Sequence, residues 1–414
     1  MGQLTEQRYP TVADLVSTAR WATERWPSTA ALRRIGTSRG GRPIHLLSVG
    51  HARRAVLVVA GAHANEPAGG ATVRHLIPRT LDDRELRTGT SWHFVLCADP
   101  DGAALHDAPA PRTLVEYHRG FFRPAGPEQP EWAPSLVPPG RTPPETRALE
   151  SAIDRVRPYL QVSLHSTELG GSWVQLTRDV PGLAEPFAKS AAELHVPLEA
   201  DPVDATGWPA AGPGVHVMPA AGPTVAFPSM PDEARVSTWH HVHRYGGLTA
   251  VVEVPMWASD VVGDCTPHPA PGRELHALAE RLRADARVVA AFFEETADRL
   301  PAVDDALLRA ARWALALAPQ LADDWSRPQP DATTAYLRSV EAFGRRLPLR
   351  AAAMLLRVLE DRGDPAAPRL DRVVARWCDA FAERFRARWV PVEHQVEHQA
   401  RTVLAAAGRA RPGR

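Results

Sequence analysis

Residues 55–60 read Ala-Val-Leu-Val-Val-Ala, an aliphatic run without a polar position. A strand wet on one face alternates polar and apolar residues, so this run fits a strand covered on both faces. Such strands belong to the centre of parallel sheets with helices above and below. The run empties into Gly61-Ala-His63-Ala-Asn-Glu66-Pro67, a polar turn whose proline suits the first turn of a helix. In sheets of this kind ligands collect where strands end at their carboxyl edges. His63 and Glu66 are presented side by side at such an edge.

The rest of the chain repeats the theme. Strand-like runs recur at 93–97, 160–164, 173–176 and 249–254, with shorter β-type segments at 31–35 and 44–49 joined by the turn 38–43. Helical spacing of apolar residues appears at 11–26, from Pro67 through Leu76, at 146–156 and at 181–194. The alternation predicts an α/β fold with a mixed, mostly parallel sheet flanked by helices. Stretches 124–144 and 202–247 resist regular assignment, and loops this long are usually functional or disordered. After 272 the chain turns Ala/Leu/Arg-rich, with breaks near Pro301, 327–330, Pro348 and 363–368. The expected organisation is a catalytic domain at 1–300 and an all-helical C-terminal extension at 301–414, whose apolar stripes read as core, a dimer face or a cap on the cleft.

Composition excludes several classes. Lys+Arg and Asp+Glu balance at 48 each, so no net field draws the chain to nucleic acid or an anionic membrane. No 18-residue apolar run exists to span a bilayer. The first ten residues lack the apolar core of a secretory signal. Cys97, Cys265 and Cys378 are too scattered for a disulfide framework or a thiolate cluster. A reduced, cytoplasmic setting is the expectation.

Two further residues complete a chemical pattern. His165 closes the run 160–164 and is followed by Ser166, offering an imidazole at another strand end. Glu253 interrupts the apolar segment Ala250-Val-Val-Glu-Val-Pro255, where a carboxylate is costly unless paired or functional. Three ligands, an open position and a base are what a zinc hydrolase requires. Each residue has a structural alternative: a satisfied histidine at a strand end, a carboxylate at a helix N-terminus, an edge-strand glutamate in water.

Together, Gly41-Arg-Pro-Ile44, His63-Ala-Asn-Glu66-Pro67, Pro100-Asp-Gly102, His165-Ser166 and Glu253-Val-Pro255 resemble the zinc carboxypeptidase family, over about residues 10 to 260. The resemblance implies that His63, Glu66 and His165 bind one Zn2+ per chain and that Glu253 is the general base. The implied reaction is hydrolysis of a peptide or small amide substrate by metal-activated water. The family's Asn-Arg dyad for the substrate's terminal carboxylate is not recognisable. In its region stands Tyr117-His-Arg119-Gly-Phe-Phe-Arg123-Pro-Ala-Gly126. Arg123 is assigned the oxyanion or carboxylate role, with Arg119 as second candidate. Tyr245 stands for the family's mobile tyrosine, with a loop anchor as its alternative. Loss of the clamp admits a zinc-dependent N-deacylase or amidase on a small N-acyl substrate. A catalytically silent scaffold that recruits partners through its helices is the rival outside enzymology.

Other signals weigh less. His394-Gln-Val-Glu397-His398 spells H-x-x-E-H, but no acidic residue follows to complete a site, so it reads as a solvated helix. The histidines 240, 241 and 243 form either part of an active-site mouth or a surface cluster. No G-x-S-x-G elbow supports a serine hydrolase.

Overall fold

The computed structural model describes residues 8–108, 110–219, 236–301, 305–327 and 331–410. Parts of the irregular stretch 202–247 and of the breaks near 301 and 327–330 lie outside the described residues, as do the first seven residues of the amino terminus. The strands are β1 Ala30–Thr37, β2 Pro43–Val49, β3 Ala55–Val59, β4 Ser91–Val95, β5 Leu160–Gly170, β6 Trp173–Leu176, β7 Ala210–Gly212, β8 Val215–Val217, β9 Leu248–Ala258 and β10 Arg388–Trp389. The helices of ten residues or more are α1 Val12–Arg25, α2 Ala68–Asp82, α3 Pro144–Val156, α4 Ala184–Glu193, α5 Pro271–Thr296, α6 Ala306–Trp325, α7 Thr334–Asp361, α8 Ala367–Phe385 and α9 Val392–Arg409.

One mixed sheet runs in the order β1-β2-β4-β3-β5-β9-β6-β8-β7, with β10 added to the end of β9. Its centre, β4-β3-β5-β9, is parallel, and antiparallel pairings flank it on either side. The aliphatic run behaves as its composition demands. Val56, Val58 and Ala60 enter the core under α1, α2, α4 and α9, whereas Leu57 and Val59 enter the opposite core against α3. The same two-residue period sorts β5, β6 and β9. Leu160, Val162, Leu164, Val174, Leu176, Ala250 and Val252 share the first core. Ser163, His165, Trp173, Gln175 and Glu253 are thereby turned to the other face.

The stretch after 300 is helical and does not stand apart from the sheet. Ala400, Val403, Ala406 and Ala407 of α9 belong to the same core as Val56 and Val162. Helices α6 to α8 share a core with Leu114, Tyr117, Phe121 and Met256. The reason is covering: local helices leave much of both faces of the sheet bare, and amphipathic helices from later in the chain fill the gaps. Helix α9 also corrects the reading of H-x-x-E-H as a solvated face. His398 is fully buried between the hydroxyls of Ser172 and Ser190, each 2.9 Å from a ring nitrogen. Glu397 points to the other side and pairs with Arg401.

Candidate metal centre

The centre is assembled where the chain leaves β3 and near the middle of β5, which does not end at 164 as the apolar run suggested but continues to Gly170. After β3 the chain leaves the sheet through Gly61, whose φ of +64° and position 2.7 Å (as a would-be Cβ) from Cys97 Sγ admit no side chain. The next residues close a turn in which the Glu66 amide donates to the His63 carbonyl at 3.2 Å. A buried tyrosine holds that turn: Tyr117 Oη donates to the Asn65 carbonyl at 3.0 Å and accepts from Asn65 Nδ2 at 2.9 Å. His63 Nδ1 then lies 3.0 Å from Glu66 Oε1.

The third member arrives by strand parity. His165 Nδ1 is 3.1 Å from His63 Nδ1 and 2.8 Å from Glu66 Oε2. All three side chains are buried, and their ligand atoms lie within 4.8 Å of one another. Spacings near 3 Å suit donors gathered on one ion with bonds of ~2.0–2.2 Å, and two imidazoles with a carboxylate are ordinary zinc donors. The outward nitrogen of His165 is occupied as a ligand histidine's usually is. Its Nε2 lies 2.9 Å from Glu131 Oε2 and 2.9 Å from Ser163 Oγ, and Ser163 donates to Glu131 Oε1 at 2.6 Å. That partnership leaves Nδ1 facing the cluster. The donor set therefore fits the cation.

Electrostatics separates the two imidazoles. Burial and then the neighbouring Arg123 charge hold His63 down at about 4, so it stays neutral. Burial also opposes charge on His165, but Glu66 and Glu131 on either side raise it well above the usual histidine range. Glu66 is lowered well below the carboxylate range: burial raises it, and the two histidines outweigh burial.

Glu253 is the half-buried interruption in the otherwise buried strand β9 and stands in register beside His165. Thr167 Oγ1 donates to its Oε2 at 3.2 Å. Burial first, and the Glu66 charge second, raise its pKa to about 8. Arg123 donates through Nη1 to Glu66 Oε1 at 2.8 Å, and its Nη2 lies 3.1 Å from His63 Nε2. The five residues His63, Glu66, His165, Glu253 and Arg123 line one cavity of about 180 Å³.

Two expected residues are elsewhere. Arg119 is half-exposed at the surface and makes a two-pronged ion pair with Asp371 at 2.9 Å through Nε and Nη2, so it does not reach the cavity. The short helix Leu114–Arg119 ends with Arg119 facing α8, and only after Gly120 does the chain turn inward to carry Arg123. Tyr245 donates to Asp154 Oδ1 at 2.8 Å on the α3 side, the loop-anchor alternative. Of the nearby histidines, His241 pairs with Asp154 and His243 contacts Thr177, which makes them a surface group.

Sequence reasoning missed Glu131, and it left a cap on the cleft as one of three alternatives for the helices after 300. Helices α6 and α7 lie over the centre, contributing Trp313, Phe343, Arg346, Leu347, Arg350 and Met354 to its lining. Gly126 lets Trp313 approach, because a Cβ there would meet Trp313 Cζ2 at 2.7 Å. Arg350 donates to the buried Glu168 at 3.1 and 3.2 Å, and Arg357 donates to the carbonyls of Leu105, Gly120 and Phe121. The Gly-Phe-Phe-Arg run from 120 was a visible hint of a packed loop; nothing marked Glu131.

A sequence model of the family described as zinc carboxypeptidase matches residues 16–117, which hold His63 and Glu66 but neither His165 nor Glu253. The chain resembles this family. Among solved structures, a metallo-carboxypeptidase from Burkholderia cenocepacia is similar at 18% identity and a TM-score of 0.37, covering 60% of each chain. Carboxypeptidase A from Helicoverpa armigera is similar at 13% identity and a TM-score of 0.40, covering 60% of this chain and 65% of that one. This chain thus spans less than two thirds of either, and neither overlap carries an argument about individual residues. No curated protein matches the chain.

Proposed function

We propose that this chain is a zinc-dependent hydrolase of amide bonds, most simply a metallocarboxypeptidase acting in the cytoplasm. The observation that carries the reading is the meeting of His63, Glu66 and His165 in one cavity with Glu253 beside them. Those three would hold a single Zn2+. Bound there, zinc supplies Lewis-acid polarisation of a carbonyl and acidification of water. The chain's own groups do the rest. Glu253, with a proton affinity near neutrality, takes a proton at its carboxylate and returns it to the departing amine. Arg123 braces Glu66 with one arm and offers its remaining N–H groups to negative charge developing on the substrate oxygen. Glu131 and Ser163 fix the His165 ring so that Nδ1 faces inward.

A second reading, an N-deacylase or amidase on a small N-acyl substrate, is favoured by one observation: helices α6 and α7 lie over the centre. The deciding experiment is elemental analysis of purified protein together with a hydrolysis screen. Free-carboxylate peptides, blocked peptides and N-acyl amino acids are compared, with metal-stripped protein as control. About one zinc per chain and metal-dependent release of an amine are expected. Metal-free protein that still hydrolyses, or loaded protein inert on every substrate, removes the proposal; the inert case leaves the silent scaffold.

A further inference from the structure

The roof of the cavity holds a charged group that the centre does not use. Arg346 and Arg350 stand one helical turn apart on α7 and both line the cavity. Arg350 is committed to Glu168, and its guanidinium lies 5.2 Å from the centroid of the Phe121 ring. Arg346 has no such partner. Its Nε donates to the Ala342 carbonyl at 3.3 Å and its guanidinium lies 5.6 Å from the Phe343 centroid. Among the described residues no carboxylate comes within ion-pair distance of it.

The cavity's other carboxylates do not change this. Both oxygens of Glu199 are taken, one by the Gly171 amide at 3.0 Å and one by the Ser339 hydroxyl at 2.7 Å. Asp204 lines the cavity without a hydrogen bond among the described residues; burial raises its pKa and the Arg346 charge opposes that, as it does for Glu199, but neither carboxylate forms an ion pair with Arg346 among the described residues. The space between is framed by Trp313, Phe343 and Leu347 above and by Trp132 and Trp239 beside. At about 180 Å³ it has room for on the order of a dozen waters, so for a ligand of roughly that many heavy atoms. A planar guanidinium with free N–H groups over an aromatic ring is suited to a carboxylate.

We propose that Arg346 receives a carboxylate of the substrate, and that the substrate is a small amide bearing that carboxylate, with polypeptides kept out by α6 and α7. The inference rests on the hydrolytic reading for its substrate but not for the anion site itself. Calorimetric titration of phenylpropanoate and phenylpropanol, into protein as purified and into metal-stripped protein, reads the anion site without turnover. Wild type is expected to prefer the carboxylate roughly 10–100-fold, the range of one charged hydrogen-bonding group, in both preparations. Arg346→Gln should lose the preference and keep the alcohol's affinity, and Arg346→Lys should keep part of it. An unchanged melting temperature certifies the fold of each variant. Preference that survives Arg346→Gln, or that vanishes on stripping the metal in wild type, overturns the assignment. Hydrolysis supplies the size test: an N-acyl amino acid should be cleaved, and a long peptide with the same terminal residue should not. Equal kcat/KM for the two overturns the exclusion. Failure of all hydrolysis with the carboxylate preference intact instead indicts the hydrolytic reading.

Discussion

The cavity has a floor and a roof made under different rules. Its floor comes from the sheet, where apolar runs are broken by polar residues: His63 and Glu66 after β3, His165 near the middle of β5, Glu253 inside β9. Its roof comes from amphipathic helices that carry several arginines, and one that lines the cavity looks like the rest. The difference teaches where chemistry announces itself. A polar side chain in a strand buried on both faces is anomalous and draws notice, whereas the same side chain on a half-wet helix is ordinary.

The largest effects belong to the floor. Glu253→Gln should keep its zinc and lose about 10²–10⁴ in kcat, the usual contribution of a positioned base. His165→Ala should instead lose zinc, read by elemental analysis. Near-normal turnover in the first, or unchanged stoichiometry in the second, would erase the asymmetry between floor and roof.

Next is the seam where the two regions join. Glu168 is fully buried between His118 and Arg350, 3.2 and 3.1 Å away. Glu168→Gln leaves both cations without their partner and should cost about 3–5 kcal/mol, measured by denaturant unfolding. A loss below about 1 kcal/mol would mean that the roof is held by packing alone.

The same seam sets a pH window. Burial disfavours charge on His118, but Glu168 raises it to about 10; burial raises Glu168, but His118 and Arg350 hold it down at about 2. A raised histidine contributes stability that is whole below its unfolded value near ~6.5 and fades as pH climbs through 10. A depressed glutamate contributes stability that is whole above its unfolded value near ~4.3 and fades as pH falls toward 2. Melting temperature should therefore decline on the alkaline side from about 6.5, and the Glu168→Gln variant should lack most of that decline. Parallel curves would detach the pair from stability.

The smallest effects are expected where sequence and structure part. Arg119→Ala breaks a surface ion pair and should change stability by ~0–1 kcal/mol and activity not at all. Tyr245→Phe should likewise leave kcat/KM unchanged. A tenfold drop in either would return that residue to the site.

How much was legible follows from these cases. The buried strands and their breaks were plain, because composition and period both mark them. Arg123 was identified beside Arg119 by family resemblance alone, and which of the two turns inward depends on the bend at Gly120. Glu131 lies in a proline-rich loop and acquires meaning only when β5 turns Ser163 and His165 toward it. The His394–His398 run was read as a solvated helix because no acidic residue follows to complete a metal site, and the burial of His398 comes from packing on distant Ser172 and Ser190, which no local pattern marks. The cut at 300 followed a change of composition, yet cores ignore composition boundaries and cross them freely here.

One contact late in the chain reaches furthest. Gln399 of α9 accepts from Thr72 Oγ1 at 2.7 Å and donates to the backbone carbonyl of His165 at 2.7 Å. The backbone of a proposed ligand is thus buttressed from a helix 234 positions further along the chain. A nascent chain that has emerged only as far as β9 already has every proposed ligand yet lacks this brace, so competence for chemistry would be conferred only once α9 has emerged and docked, and proteolytic removal of α9 would act as an off-switch without touching a single ligand.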